Sequence, residues 1–179
     1  MEKTGMLSVV IPAYNEEPNI RPAVQAIGGA LAKEDIPYEL VFVDDGSRDN
    51  TWACVQEQAQ ADPHVRGVSF SRNFGKEAAI FAGLAQAEGA CAAVIDCDLQ
   101  HPPEKLAEMY RLWQEGYQVV EGVKVSRGKE NPLHTLAART FYSAISGATG
   151  IDMSRASDFK LLDRRAVDTL LALREKNAF

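Results

Sequence analysis

The sequence contains little cysteine and no long apolar run. Its three cysteines, Cys54, Cys91 and Cys97, are an odd number without a CxxC pair, which argues against a disulfide framework and is typical of a reducing cytosol. No stretch approaches the roughly 20 apolar residues that span a bilayer. The first residues also lack the charged and apolar regions of a signal peptide. We therefore expect the chain as given to be soluble and cytoplasmic.

An excess of positive charge is also lacking. The formal net charge is −6 at pH 7, and a nucleic-acid partner calls for a basic face, so we expect no nucleic acid to bind. Apolar residues make up 46% and charged residues 25% of the chain, which is typical of a globular protein rather than a disordered one. The length of 179 residues predicts a single domain, residues 1–179.

Several motifs of nucleotide and metal sites are missing. The sequence has neither a G-x-x-x-x-G-K-[ST] P-loop nor a G-x-G-x-x-G after its first strand, which argues against nucleoside triphosphatases and dinucleotide enzymes. An EF-hand loop beginning at Asp96 would require Gly and Glu where His101 and Ala107 stand. The three histidines, His64, His101 and His134, lack metal-ligand spacing. Any Ser-His-Asp assignment would also be arbitrary.

What the sequence does contain is an alternation of short β-rich runs with longer runs of helical period. Strands are predicted at Leu7–Ile11 and Val65–Phe70 and in "YELVFVDD", "CAAVID" and "YQVVEGVKV". Helices are predicted in "NIRPAVQAIGGALAKE" (with Asn19 as N-cap), "NTWACVQEQAQAD", "KEAAIFAGLAQAEG", "PPEKLAEMYRLWQEG" and "LHTLAARTFYSAISG", and a last strand and helix in "ASDFKLLDRRAVDTLLALRE". This order predicts an α/β fold in which helices cover both faces of a mostly parallel sheet.

Three of the predicted strands end in acidic residues. They are the strands of "VIPAYNEE", "VFVDDGS" and "VIDCDLQ". Ligands of open α/β sheets bind outside the carboxyl ends of the strands, so these carboxylates are expected to share one edge. Asp96 and Asp98 could hold Mg²⁺, which prefers one or two carboxylates together with substrate phosphates. The alternative is that both aspartates are turn or helix N-terminal residues preceding "PPEKL".

Four motifs carry a resemblance to a known family. The segments "VVIPAYNEEPNI", "VFVDDGSRDNT", "SRNFGKEAAIFAGL" and "DCDLQHPPE", in this order and spacing, closely resemble inverting glycosyltransferases of family 2. Within that family the sequence is similar to the polyprenyl-phosphate branch, which includes bactoprenol (undecaprenyl-phosphate) glucosyltransferases and dolichol-phosphate mannose synthase. The resemblance implies a GT-A (Rossmann-like) fold, a nucleotide-diphosphate-sugar donor (UDP-glucose favoured over GDP-mannose) and Mg²⁺ or Mn²⁺.

The resemblance also implies a set of donor-binding residues. Asp44 would hydrogen-bond the base, Asp98 would be the direct metal ligand, and Gln100 would help at the metal or diphosphate. Asp96 would lie near both the ribose and the metal, and Lys76 would add a donor contact. Asp45 is expected only to cap the turn that follows it. The remaining predicted contacts, which would line the nucleoside pocket, are Pro12, Tyr14 and Glu16.

A polyprenyl phosphate is the acceptor that the resemblance implies. Arg and Lys side chains bind phosphate by charge-assisted hydrogen bonds, although a solvated basic face is the alternative for Lys124 and Arg127. Asp158 matches the position proposed as the catalytic base. Because a phosphate monoester is largely a dianion near neutral pH, we expect Asp158 mainly to orient acceptor or sugar. The predicted acceptor-phosphate residues are Lys124, Arg127, Arg139 and Ser143.

The chain ends at "LREKNAF", before the interfacial helices and transmembrane hairpin that members of this branch usually carry. We therefore expect a truncated catalytic domain whose full-length parent is associated with the cytoplasmic side of a membrane; its oligomeric state is open. Two other functions are alternatives. One is a nucleotide-sugar-binding module that is inactive as this fragment. The other is a phosphoryl-transfer enzyme of the haloacid-dehalogenase type, which also carries after a strand the DxD pattern that Asp96 and Asp98 form here (the DxD segment, residues 96–98).

Overall fold

The computed structural model describes residues 4–122 and 158–172. Its strands are β1 (Leu7–Ala13), β2 (Tyr38–Asp44), β3 (Val65–Ser69), β4 (Cys91–Val94), β5 (Val119–Glu121) and β6 (Lys160–Asp163). Its helices are α1 (Glu17–Lys33), α2 (Thr51–Ala61), α3 (Lys76–Gln86), α4 (Lys105–Glu115) and α5 (Arg164–Ala172). The helix predicted in "LHTLAARTFYSAISG" lies outside the described residues. Helix α1 begins at Glu17, so Asn19 lies inside the helix and is not its N-cap.

The six strands form one sheet in the order β3-β2-β1-β4-β6-β5. Strands β1 to β4 pair in parallel, as the βαβ pattern predicted. Strand β6 runs antiparallel to its neighbours β4 and β5, with Lys160 opposite Val94. The three strands with acidic ends, β2, β1 and β4, are therefore adjacent, and their carboxyl ends lie at the same edge.

Helices cover both faces of this sheet, which confirms the predicted layering. Alternate residues of a strand point to opposite faces. In β1, Val9 and Ile11 pack into the larger apolar cluster, to which α1, α2 and α4 contribute. Val10, between them in the sequence, packs with residues of α3 and α5 on the other face. Every residue of β1 is buried, as expected for a central strand covered on both sides.

Helix α3 approaches the sheet closely at Gly83. A Cβ built there would lie 2.3 Å from Val10 Cγ1, so the helix can rest on β1 only because this position lacks a side chain. This contact fixes the distance between α3 and β1. It thereby also fixes the position of Lys76, the first residue of α3. Within residues 4–122 and 158–172, none of the helices has the length and apolar character required to cross a bilayer.

Candidate functional site

A cavity of about 440 Å³ opens at the carboxyl ends of β1, β2 and β4. The chain builds β2 and β3 on one side of β1 and β4 on the other, and ligands of open α/β sheets bind at such switch points. All three acidic strand ends contribute to the cavity wall. The lining residues are Pro12, Ala13, Tyr14, Glu16, Asp45, Asn73, Gly75, Lys76, Ala79, Asp96, Cys97 and Asp98.

The loop after β1 brings Tyr14 and Glu16 to this cavity. Asn15, between them, has a positive φ of 55°, which Asn adopts more readily than most residues. Its backbone N–H donates to Ser47 Oγ at 2.9 Å, and that of Glu16 donates to Thr51 Oγ1 at 2.8 Å. The loop is thus tied to the segment after β2. The Tyr14 ring remains 41% exposed, which leaves it room to pack on a ligand.

The carboxylate of Asp44, the last residue of β2, is buried and accepts two internal hydrogen bonds. Its Oδ1 accepts from the backbone N–H of Ser47 at 3.0 Å, and its Oδ2 accepts from the Ser69 hydroxyl at 2.8 Å. Asp44 is therefore the residue that caps the turn after β2, and it does not line the cavity. Its predicted contact with the nucleotide base stays a prediction.

The carboxylate of Asp45 lies on the cavity wall, where it binds the loop that precedes α3. It accepts from the backbone N–H of Phe74 at 2.7 Å and from that of Gly75 at 3.0 Å. The prediction that Asp45 only caps the following turn is wrong. Consecutive residues at a strand end point in different directions, so the side chain of Asp45 diverges from the turn that Asp44 caps.

The chain turns directly after β4, and this turn brings Asp96 and Asp98 to one cavity. The carbonyl of Asp96 accepts from the N–H of Leu99 at 3.4 Å, and Leu99 has a positive φ of 56°. Cys97 between them is 2% exposed. Burial, together with the charges of Glu16 and the two aspartates, raises the pKa of the Cys97 thiol to about 12. The thiol is therefore protonated at neutral pH.

The predicted metal residue Gln100 lines a second cavity of about 370 Å³ rather than the first. Its backbone N–H donates to Asp98 Oδ1 at 3.1 Å, so it does contact the DxD segment. The wall of this second cavity is more apolar, and the rings of His101 and Phe159 stack there with their centroids 4.8 Å apart. Asp98 lines the first cavity and Gln100, two residues later, lines the second, so the two cavities lie close together.

The antiparallel pairing of β6 explains why Asp158 lies beside Asp96. Lys160 lies opposite Val94, so the residue two positions before Lys160 lies beside the residue two positions after Val94. These two residues are Asp158 and Asp96. The structure thus brings the predicted catalytic base next to the DxD segment, although 60 or more residues separate them in the sequence.

Lys76, the first residue of α3, connects these two acids. Its ammonium nitrogen lies 2.7 Å from Asp96 Oδ1 and 2.8 Å from Asp158 Oδ2. Burial on its own disfavours the charged amine, but the hydrogen bonds and attraction of the two carboxylates outweigh it. The pKa of Lys76 is therefore raised above its ordinary value, and the side chain is charged at neutral pH.

The oxygen donors at this edge of the sheet suit a hard divalent cation. Asp96 and Asp98 offer carboxylates on one wall, and Mg²⁺ and Mn²⁺ take the remaining ligands from phosphates and water. The described residues hold no cluster of three or more His, Cys, Asp or Glu side chains arranged as a complete metal cage.

The predicted acceptor-phosphate residues Lys124, Arg127, Arg139 and Ser143 lie outside the described residues. Six residues line the cavity without having been predicted to do so: Ala13, Asp45, Asn73, Gly75, Ala79 and Cys97. Two of them, Asn73 and Gly75, belong to the motif "SRNFGKE". Its position between β3 and α3 is the sequence feature from which their place at the cavity could have been predicted. For Asp45, the corresponding sequence feature is its position beside Asp44 at an acidic strand end.

Comparison with known proteins gives consistent results. Residues 8–171 match the family model described as Glycosyl transferase family 2. The chain is 42% identical over its whole length to a Bacillus subtilis (strain 168) protein named Uncharacterized glycosyltransferase YkcC, and covers 56% of it. It is 34% identical to the Bactoprenol glucosyl transferase of Shigella phage SfV, over 97% of this chain and 57% of that protein. The chain thus spans just over half the length of these relatives.

A solved structure supports the same relationship. The mannosyltransferase PcManGT from Pyrobaculum calidifontis, in complex with GDP-Man and Mn²⁺, superposes with a TM-score of 0.64 at 25% identity. The superposition covers 94% of this chain and 47% of that one. These matches confirm the GT-A fold and the resemblance drawn from the four motifs.

Proposed function

Because the chain belongs to glycosyl transferase family 2, we propose that it transfers a hexose from a nucleotide-diphosphate sugar to a polyprenyl phosphate. UDP-glucose is the favoured donor, in line with the glucosyl transferase relative, and GDP-mannose is the second candidate. One observation carries the proposal: Asp96 and Asp98 lie on the wall of a single cavity at the carboxyl ends of three adjacent strands.

The donor would bind along this wall. Pro12, Tyr14 and Glu16 would surround the nucleoside, because the loop after β1 already lines the cavity and is held by the segment after β2. Asp44 would contact the base through the carboxylate lone pairs that its two internal donors do not use. Lys76 lines the same wall, where a contact with the donor diphosphate and the bridge to Asp158 are two alternative roles for its ammonium.

Asp96 and Asp98 would hold a divalent cation, with Gln100 as a third candidate ligand. When bound, such an ion offsets the charge of the departing nucleoside diphosphate. The protein's own contribution is to fix the two carboxylates on one rigid turn after β4, so that the donor binds in a single orientation.

The acceptor would approach from the side of Asp158. A polyprenyl phosphate has a second pKa of about 6 and is largely a dianion near neutral pH, so little proton abstraction is needed. Its oxygen would attack the anomeric carbon opposite the leaving diphosphate and invert the configuration. Asp158 would orient the acceptor or take the residual proton, and Lys124, Arg127, Arg139 and Ser143 would bind the acceptor phosphate. The membrane that carries such a lipid would be the partner surface.

A transfer assay with the full-length protein tests this function. The protein is incubated with undecaprenyl phosphate, Mn²⁺ or Mg²⁺, and either radiolabelled UDP-glucose or radiolabelled GDP-mannose. We expect label in the lipid fraction with one donor, and none when lipid or metal is omitted. Nucleotide-sugar binding without transfer from any donor would favour the inactive binding module. Release of inorganic phosphate from a phosphomonoester would favour phosphoryl transfer instead.

A further inference from the structure

Among the described residues of this site, the ammonium of Lys76 contacts both the DxD segment and the proposed base, Asp158. Its nitrogen lies 2.7 Å from an oxygen of Asp96 and 2.8 Å from an oxygen of Asp158. The three residues come from three different parts of the chain: the start of α3, the turn after β4 and the approach to β6. The ammonium therefore joins the donor half of the proposed site to the acceptor half.

The position of Lys76 is itself set by backbone contacts. The two N–H groups before it, those of Phe74 and Gly75, donate to Asp45 at the end of β2. Behind them, a Cβ on Gly46 would lie 2.3 Å from the backbone carbon of Arg72, so the two loops meet without space for a side chain. The amine thus projects from an anchored helix start.

Two carboxylates that approach one another repel unless a cation lies between them. Asp158 precedes an antiparallel strand, while Asp96 follows a parallel one, and their mutual position depends on what bridges them. We propose that Lys76 is a positioning residue, whose ammonium holds the Asp158 carboxylate beside Asp96 so that the base faces the acceptor. This inference rests on the proposed function, and it differs from a direct contact between Lys76 and the donor diphosphate.

The two roles of Lys76 predict different kinetics. If Lys76 acts through Asp158, Lys76→Met lowers kcat by ~10- to 100-fold, the loss that a misplaced group causes, and leaves the donor KM within about twofold. The same substitution then has no further effect on kcat in an Asp158→Asn background. Lys76→Arg, which keeps the charge, recovers most of the rate. Lys33→Met, which removes an exposed lysine in the last turn of α1, is the matched control and leaves kcat unchanged.

Calorimetric titration of UDP with Mn²⁺ supplies a measurement that does not depend on turnover and also shows that each variant is folded. We expect Lys76→Met to bind UDP within about twofold of wild type. A tenfold or greater loss of UDP affinity, or an additive loss of kcat in the Asp158→Asn background, would overturn the positioning role in favour of direct donor binding.

A crystal structure of the Lys76→Met variant separates this inference from the proposed function. If the wild-type protein transfers no sugar, the proposed function fails, and the position of Asp158 in that structure alone decides the inference. We expect the Asp158 carboxylate to move away from Asp96 when the amine is absent. An unchanged Asp158 would show that Lys76 does not hold it.

Discussion

The carboxylate of Asp45 accepts a 3.0 Å hydrogen bond from the backbone N–H of Gly75, 30 residues further along the chain. Its other oxygen accepts from the N–H of Phe74 at 2.7 Å. Gly75 has a φ of +101°, a conformation that side-chain-bearing residues rarely adopt, and Lys76 follows it as the first residue of α3. The end of β2 therefore determines where Lys76 enters the cavity.

Replacing Asp45 by alanine should destabilise the protein by about 1–2 kcal/mol, because two half-buried backbone N–H groups lose a charged acceptor. Urea unfolding followed by circular dichroism measures this change. Glu115→Ala, at an exposed position near the end of α4, is the control and should leave the free energy of unfolding within about 0.5 kcal/mol. An Asp45→Ala variant as stable as the control would mean that these hydrogen bonds do not fix the loop.

Two glycines in helices should respond to alanine in opposite directions. In Gly83→Ala the new methyl group meets Val10 at 2.3 Å, which should destabilise the protein by about 1–3 kcal/mol through overpacking. In Gly29→Ala, within α1, the methyl group meets nothing within 4 Å, so the better helix former should stabilise the protein by up to about 1 kcal/mol. Chemical denaturation of both variants is the measurement. Equal effects at the two positions would contradict the close packing of α3 on β1.

The sequence predicted the layering of the fold because the apolar strands and the helical periods are local signals. The alternation of β-rich runs with runs of helical period is enough to predict four parallel strands with helices on both faces of the sheet. The antiparallel placement of β6 between β4 and β5 has no such local signal, since it depends on which sheet edge is left open by the other strands. That placement is nevertheless what puts Asp158 beside Asp96.

At the site, the residue types could be predicted but their individual partners could not. "VDDGS" shows that an acidic pair ends β2, whereas the exact end of the strand decides which aspartate faces the cavity. Asp44 turned out to cap the turn, and Asp45 to hold the loop before α3. The contact between Lys76 and Asp158 spans 82 residues, so no spacing rule could have found it.

The pH dependence of stability should show the contribution of Asp62, which ends α2. The N–H of His64 donates to its carboxylate at 2.9 Å, and this bond, with the His64 ring, lowers the pKa of Asp62 in spite of partial burial. A lowered folded-state pKa contributes stability above the unfolded value of about 3.9 and loses it as pH falls through the folded-state value. Asp62→Ala should therefore be less stable than wild type by about 1 kcal/mol at pH 7, with the difference shrinking as pH falls below about 3.9. A difference that does not shrink below that pH would contradict this assignment.

The most direct test of the account is calorimetric titration of UDP and GDP into wild-type protein and Asp98→Asn, each with Mn²⁺ and with EDTA. We expect one nucleotide to bind wild type in a manganese-dependent way, and Asp98→Asn to lose at least ~10-fold in affinity because a carboxylate ligand of the cation is gone. Glu104→Gln, which removes an exposed acid six residues further on, should bind like wild type. Nucleotide binding that is the same with Mn²⁺ and with EDTA, and unchanged in Asp98→Asn, would contradict the proposed metal-assisted donor site.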